Sequence, residues 1–90
     1  MTAVLISYDL NSPGQTYDKL IEKIESYGTY AKVLKSTWIV AGPYLSAQGV
    51  YDALHPLLDS NDHIFCVEID GKERQGWLPK AIWEWIRKQV

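Results

Sequence analysis

The chain lacks most of what would mark a secreted, membrane or cysteine-dependent protein. It carries one cysteine, Cys66, which excludes an internal disulfide and any cysteine-based zinc cluster. Its place in the apolar run Ile64-Phe65-Cys66-Val67 marks a packed thiol. No long hydrophobic run is present. The opening from Met1 to Tyr8 has no basic flank and falls far short of the roughly 20 apolar residues of a membrane span. The expected setting is the cytoplasm, away from membranes. Basic residues are not in excess either: the net charge is −2, without the positive field of most nucleic-acid binders. A glycine-rich phosphate loop, a nucleophile elbow, a Ser/His/Asp set, internal repeats and linkers are also missing.

Apolar residues are plentiful. They make up 47% of the 90 residues, with four Trp and six Tyr, generous for a single domain spanning residues 1–90. So short a chain buries only about 60–65% of its unfolded surface, so part of this apolar surface is expected to face a partner.

Periodicity gives the order of elements. Ala3 to Tyr8 is a continuous β-rich run. Ser12-Pro13-Gly14-Gln15 reads as a helix start, with Ser12 as N-cap, Pro13 at the first helical position and Gln15 at capping-box spacing. Tyr17, Leu20, Ile21, Ile24 and Tyr27 then recur at helical spacing up to Gly28. Two strands, Thr29–Leu34 and Thr37–Ala41, flank a Lys35-Ser36 turn. Ser46 is positioned to cap a second helix through Val50, Leu54 and Leu58, which Pro56 should kink or end near His55. A fourth strand runs from His63 to Ile69, and Asp70-Gly71 is a turn. Lys72 to Trp77 suggests a short fifth strand, and Pro79 opens a last helix.

The order predicts an α+β, ferredoxin-like βαββαβ sandwich with an antiparallel four-stranded sheet, extended by a short C-terminal strand and helix. The first and third strands are expected to be central and parallel, with both main helices on one face. Alternation then sorts side chains between faces. Val4, Ile6 and Tyr8 oppose Ala3, Leu5, Ser7 and Asp9; Trp38 and Val40 oppose Thr37, Ile39 and Ala41; Phe65, Val67 and Ile69 oppose Ile64, Cys66 and Glu68. Both sets are largely apolar, unlike a sheet with one wet face. The second face must be covered, by a second copy in a two-fold homodimer or by Trp83, Trp85 and Ile86 folding back within one chain.

Val4-Leu5-Ile6-Ser7-Tyr8-Asp9 and Lys35-Ser36-Thr37-Trp38-Ile39-Val40 resemble segments of the small CRISPR-associated adaptation proteins of the Cas-two type, with agreement in element order over residues 1 to about 70. The whole chain also resembles the bacterial SinR-like group, which shares the Ser-Tyr-Asp-Leu opening, the Ser-Thr-Trp-Ile-Val strand and Leu58-Asp59-Ser60-Asn61-Asp62. The resemblance implies a ferredoxin-like homodimer whose first-strand aspartates approach the two-fold axis. It implies either metal-dependent endonuclease activity on RNA or DNA, or a scaffold gripping duplex DNA beside another defence-system protein. By position, Asp9 is the catalytic and metal-ligand candidate, shared across the axis, with Tyr8 and Ser36 beside it. One departure stands out: no Arg precedes Arg74, which removes the bidentate phosphate clamps expected after the aspartate.

Two carboxylates facing across an axis need a cation or a shared proton. Mg²⁺ accepts one or two carboxylates with several waters and can polarise a phosphate; Mn²⁺ is the other candidate. Asp9 equally fits the end of a strand that orders the next turn. His55 and His63 lack ligand spacing to a second His or Cys, which points to surface or capping roles. Asp59, Asn61 and Asp62 lack a calcium-loop pattern and read as a solvated turn. Lys32, Lys35, Lys72, Arg74, Lys80, Arg87 and Lys88 are the cations available to a nucleic acid. Trp77, between Arg74 and Lys80, suits base stacking, although its apolar surroundings also suit core or interface. Two functions follow: a Cas-two-like nucleic-acid-associated dimer, or a non-catalytic dimeric interaction or antitoxin-like module on the same fold.

Overall fold

A computed structural model describes residues 1–12 and 17–90. Four strands, β1 (Thr2–Asp9), β2 (Tyr30–Leu34), β3 (Thr37–Gly42) and β4 (His63–Glu68), form one open antiparallel sheet in the order β2-β3-β1-β4. Three helices complete the described chain: α1 (Asp18–Glu25), α2 (Ala47–Leu54) and α3 (Lys80–Gln89).

β1 and β3 are central as expected, but they run antiparallel, with Leu5 opposite Ile39 and Ser7 opposite Thr37. The connectivity explains the correction. A helix between β1 and β2 returns the chain to its first direction, and the two-residue turn at Lys35-Ser36 reverses it. β3 enters between β1 and β2 and so opposes both.

Each element follows from its local sequence. The Ser46 hydroxyl accepts the Gly49 amide at 3.0 Å and caps α2. Pro56 ends that helix at Leu54, where a single 3₁₀ turn, His55–Leu57, takes over. Gly28 and Gly71 take the left-handed turns after α1 and β4, with φ of 85° and 71°. α1 begins at Asp18, later than expected, and its flanking residue is Tyr17 rather than Ser12. The expected roles of Pro13 and Gln15 lie outside the described residues.

The expected fifth strand does not form. Residues 72–79 are irregular. Leu78 packs against the second apolar cluster with α3, so the segment is drawn over the sheet's face rather than along an edge.

Two cores result. On the first face Val4, Ile6, Tyr8, Trp38 and Val40 meet Leu20 and Ile24 of α1 and Val50 and Leu54 of α2. On the second, Ala3, Ile39 and Ala41 meet Ile86 of α3, with Trp83, Trp85 and Ile82 around them. The fold-back expectation therefore holds for this part of the second face, which one chain covers by itself.

Candidate functional site

α3 cannot cover the whole second face. Ten helical residues reach about 15 Å, whereas the eight residues of β1 extend about 26 Å. The uncovered part is a cross-strand row set by register: Leu34 beside Thr37, Thr37 beside Ser7, Ser7 beside Phe65. Phe65 is 65% exposed and Leu34 57%. Between them the Ser7 and Thr37 hydroxyls share a 3.1 Å hydrogen bond.

Asp9 lies one step beyond this row on the same face, exposed, with His63 as its register partner on β4. Among the described residues, no hydrogen bond or ion pair engages its carboxylate. Ser7, Asp9, His63 and Phe65 line a shallow depression of about 260 Å³ with Tyr8 and Ile64. The Tyr8 amide donates to the Ser36 carbonyl at 3.1 Å, which brings Lys35 and Ser36 to the same end of the sheet.

Tyr8 itself points the other way. Its ring is buried in the first core, and its hydroxyl accepts the Trp38 indole N–H at 3.0 Å. The Lys32 ammonium lies 5.6 Å from the Trp38 ring centroid, and Tyr30 packs 5.9 Å from it. Tyr8 is therefore a packing residue. Ser36 is exposed in its turn. Of the two expected site residues on β1, Asp9 lies on the second face and Tyr8 on the first.

Asp62 does more than the expected solvated turn. Its carboxylate accepts the Asn11 amide at 2.7 Å, the Asp59 amide at 2.8 Å and the Tyr17 hydroxyl at 2.8 Å. The Asn11 side chain donates to the Asn61 carbonyl at 3.1 Å. This clasp joins the loop after β1 to the loop before β4. Desolvation pushes the Asp62 carboxyl up, but the Asn11 and Asp59 amides, the Tyr17 hydroxyl and the His63 charge outweigh it and hold the group below its ordinary value. Tyr17 is raised, first by desolvation and then by its bond to Asp62. Burial likewise pushes up the Cys66 thiol, which favours its protonated form.

The histidines take surface roles. His55 stacks on Tyr51 with ring centroids 5.1 Å apart, and His63 is exposed beside Asp9. Among the described residues, no group of three or more His, Cys, Asp and Glu side chains is placed to hold a metal ion. One chain offers a divalent cation Asp9 and the neighbouring His63, too few ligands for a site of its own.

Compared with protein-family models and with curated proteins, the sequence matches none.

The cations are dispersed. Arg74 donates to the Lys72 carbonyl at 3.2 Å, Lys80 lies 3.9 Å from Glu84, and Arg87 and Lys88 are exposed in the last turn of α3. Trp77 is 100% exposed, so the core role open to it from sequence does not apply. No helix among the described residues is long and apolar enough to cross a membrane.

Sequence reasoning missed the uncovered row and the clasp. Parity had separated Phe65 from Ile64 and Cys66 without saying which face each takes, and the signal for the row was the shortness of α3 relative to the strands. The signal for the clasp was the Asp-x-x-Asp spacing of Asp59 and Asp62, in which the second side chain caps the first residue's amide.

Proposed function

We propose that this protein is a Cas-two-like, nucleic-acid-associated homodimer on the ferredoxin-like split βαβ plan, in which two copies meet over the uncovered row and bring their Asp9 carboxylates to the two-fold axis. The observation that carries the reading is the exposed Asp9 carboxylate at the end of a half-apolar strip. The strand order supports the fold assignment, since from the other edge it runs β4-β1-β3-β2 with both crossover helices packed on the first face.

The proposed chemistry follows from the pairing. Two Asp9 carboxylates with their neighbouring His63 rings double the donor set that one chain supplies. Like charges brought together at the axis would favour capture of a cation. A divalent ion, Mg²⁺ or Mn²⁺, would polarise a phosphodiester and activate water there. Asp9 would hold the ion, and Lys35, at the same end of the sheet, would meet the nucleic-acid backbone.

The second reading is a non-catalytic dimeric interaction module. It is favoured by the burial of Tyr8, which takes that side chain away from Asp9, and by the absence of an arginine before Arg74.

Light scattering, Mn²⁺ titration and cleavage assays on RNA and DNA, each with Asp9→Ala alongside, test both readings. The first expects a dimer that binds Mn²⁺ and cleaves, with binding and cleavage lost in Asp9→Ala and dimer mass kept. A dimer that does neither supports the second. A monomer at micromolar concentration overturns both, and cleavage that survives Asp9→Ala removes Asp9 from the site.

A further inference from the structure

Beneath α3 the second core is incompletely filled. A cavity of about 180 Å³ lies between the sheet and the segment 72–78. Its floor is Leu5, Val33 and Ile39, its sides are Ile69, Leu78, Trp83 and Ile86, and Lys72 to Gln75 form part of its wall. The cavity is partly open to solvent, with an apolar interior, and an engineered cavity of about 150 Å³ accepts a benzene ring.

The same segment carries a fully exposed indole. Trp77 is 100% exposed, as is Tyr44 elsewhere, and nothing among the described residues covers its ring. Its neighbours Gln75 and Leu78 line the cavity. The molecule thus displays an unburied indole beside a mostly apolar hollow walled by the same segment. The floor residues also lie one register step from the uncovered row: Leu5 and Ile39 are paired just as Ser7 and Thr37 are. A second copy seated on that row would stand beside the cavity.

We propose that Trp77 of each subunit seats in this cavity of the other, so that the dimer is fastened by two reciprocal indole contacts. The proposal rests on the dimeric reading above and names the side chain that holds the dimer together. A two-fold axis suits it because the ring and the hole sit on one segment, so a single rotation satisfies both copies and the assembly closes at two. A Trp desolvated in a fitted pocket is the usual centre of binding energy at an interface. Segment 72–78 stays irregular because its work is to present that ring and wall the hole.

Sedimentation velocity over a concentration series tests this with three proteins. Trp77→Ala removes the ring and leaves the fold untouched, since the ring is fully exposed in the single chain. It removes both reciprocal contacts, each worth about 30-fold as a strong hot spot, and is expected to raise the dimer dissociation constant by about 900-fold. Leu5→Phe fills the floor of the cavity with Trp77 intact, and with a native circular dichroism spectrum it is expected to weaken the dimer similarly. An equimolar mixture of the two variants restores one indole and one empty cavity across a single interface. It should form heterodimers more tightly than either variant forms homodimers.

¹⁹F NMR of 5-fluorotryptophan-labelled wild type supplies a second readout. The resonance absent from Trp77→Phe should shift with concentration in step with the dimer fraction. A dimer unaffected by Trp77→Ala overturns the seat and leaves the Asp9 reading standing. A wild-type monomer overturns both. A Trp77 resonance that is shielded at monomer mass overturns the exchange, because the ring would then be closing on its own chain.

Discussion

The two faces of the sheet are made from the same strands, yet they are finished differently. On the first, two helices from between the strands close over Val4, Ile6, Trp38 and Val40 and leave no buried polar side-chain atom unpaired among the described residues. On the second, one helix from the end of the described chain covers Ala3, Ile39 and Ala41 and stops short. It leaves a cavity at its margin and an exposed row ending in Asp9. Helices that connect strands are placed by the sheet they cross, whereas an appended helix covers only what its own length reaches. The first face carries stability, and the unfinished half of the second is where function is expected.

The largest test of that division is a matched pair of truncations. Ile6→Ala opens a cavity in the closed core and should lower unfolding free energy by about 4 kcal/mol, within the range for buried Ile→Ala changes. Ile86→Ala, on the face that already holds a void, should lower it by about 2 kcal/mol, because fewer neighbouring atoms lose contacts. Urea titration of both proteins checks the order, and equal losses would mean the faces are equally packed.

The clasp at Asp62 sharpens the comparison by pH. A carboxyl held below its unfolded value contributes stability that is fully present above the unfolded pKa of about 4 and is lost as pH falls through the folded value. Thermal melts between pH 7 and pH 2 should therefore show an acid-side loss that Asp62→Asn makes shallower. An unchanged acid limb in that variant would locate the sensitivity elsewhere.

The smallest expected effect is the most telling for the open row. Phe65→Ser removes an exposed ring and should leave the stability of the dilute chain within about 0.5 kcal/mol of wild type. The unfolding midpoint of the wild type should rise with protein concentration, as for any self-associating native state, and in Phe65→Ser that rise should diminish.

Most of the architecture could be read from residue spacing, because strand parity and helical periodicity are local. Val4, Ile6 and Tyr8 fell on one face and Leu5, Ser7 and Asp9 on the other as alternation required. The Ser46 cap and the early end at Pro56 depend on a few neighbouring residues and were equally visible. What failed was long-range or competitive. Lys72 to Trp77 holds one strong strand former, Trp77, and Leu78 after it is worth more buried against the second core than left beside an edge. Asp62 looked like a solvated turn because its donors, Asn11 and Tyr17, lie at the other end of the sequence. The direction of β3 relative to β1 is a property of two crossovers and a hairpin together, and no single segment carries it. For the site, Asp9 could be singled out, and the same parity that set Tyr8 on the opposite face already separated the two side chains.

β1 is paired along both edges, and its two partners arrive by very different routes. The hairpin of β2 and β3 needs only a two-residue turn, so it can assemble early and alone. β4 must travel much further to reach β1, and the Asn11–Asp62 bond beside their junction spans 51 positions of sequence. Closing so long a loop is an entropic barrier that delays folding of non-local pairings. The clasp sits at the end where β1 and β4 are nearest in sequence, whereas Ala3 and Asp70 at the other end bond across 67 positions, so it holds the end from which the pairing can zip.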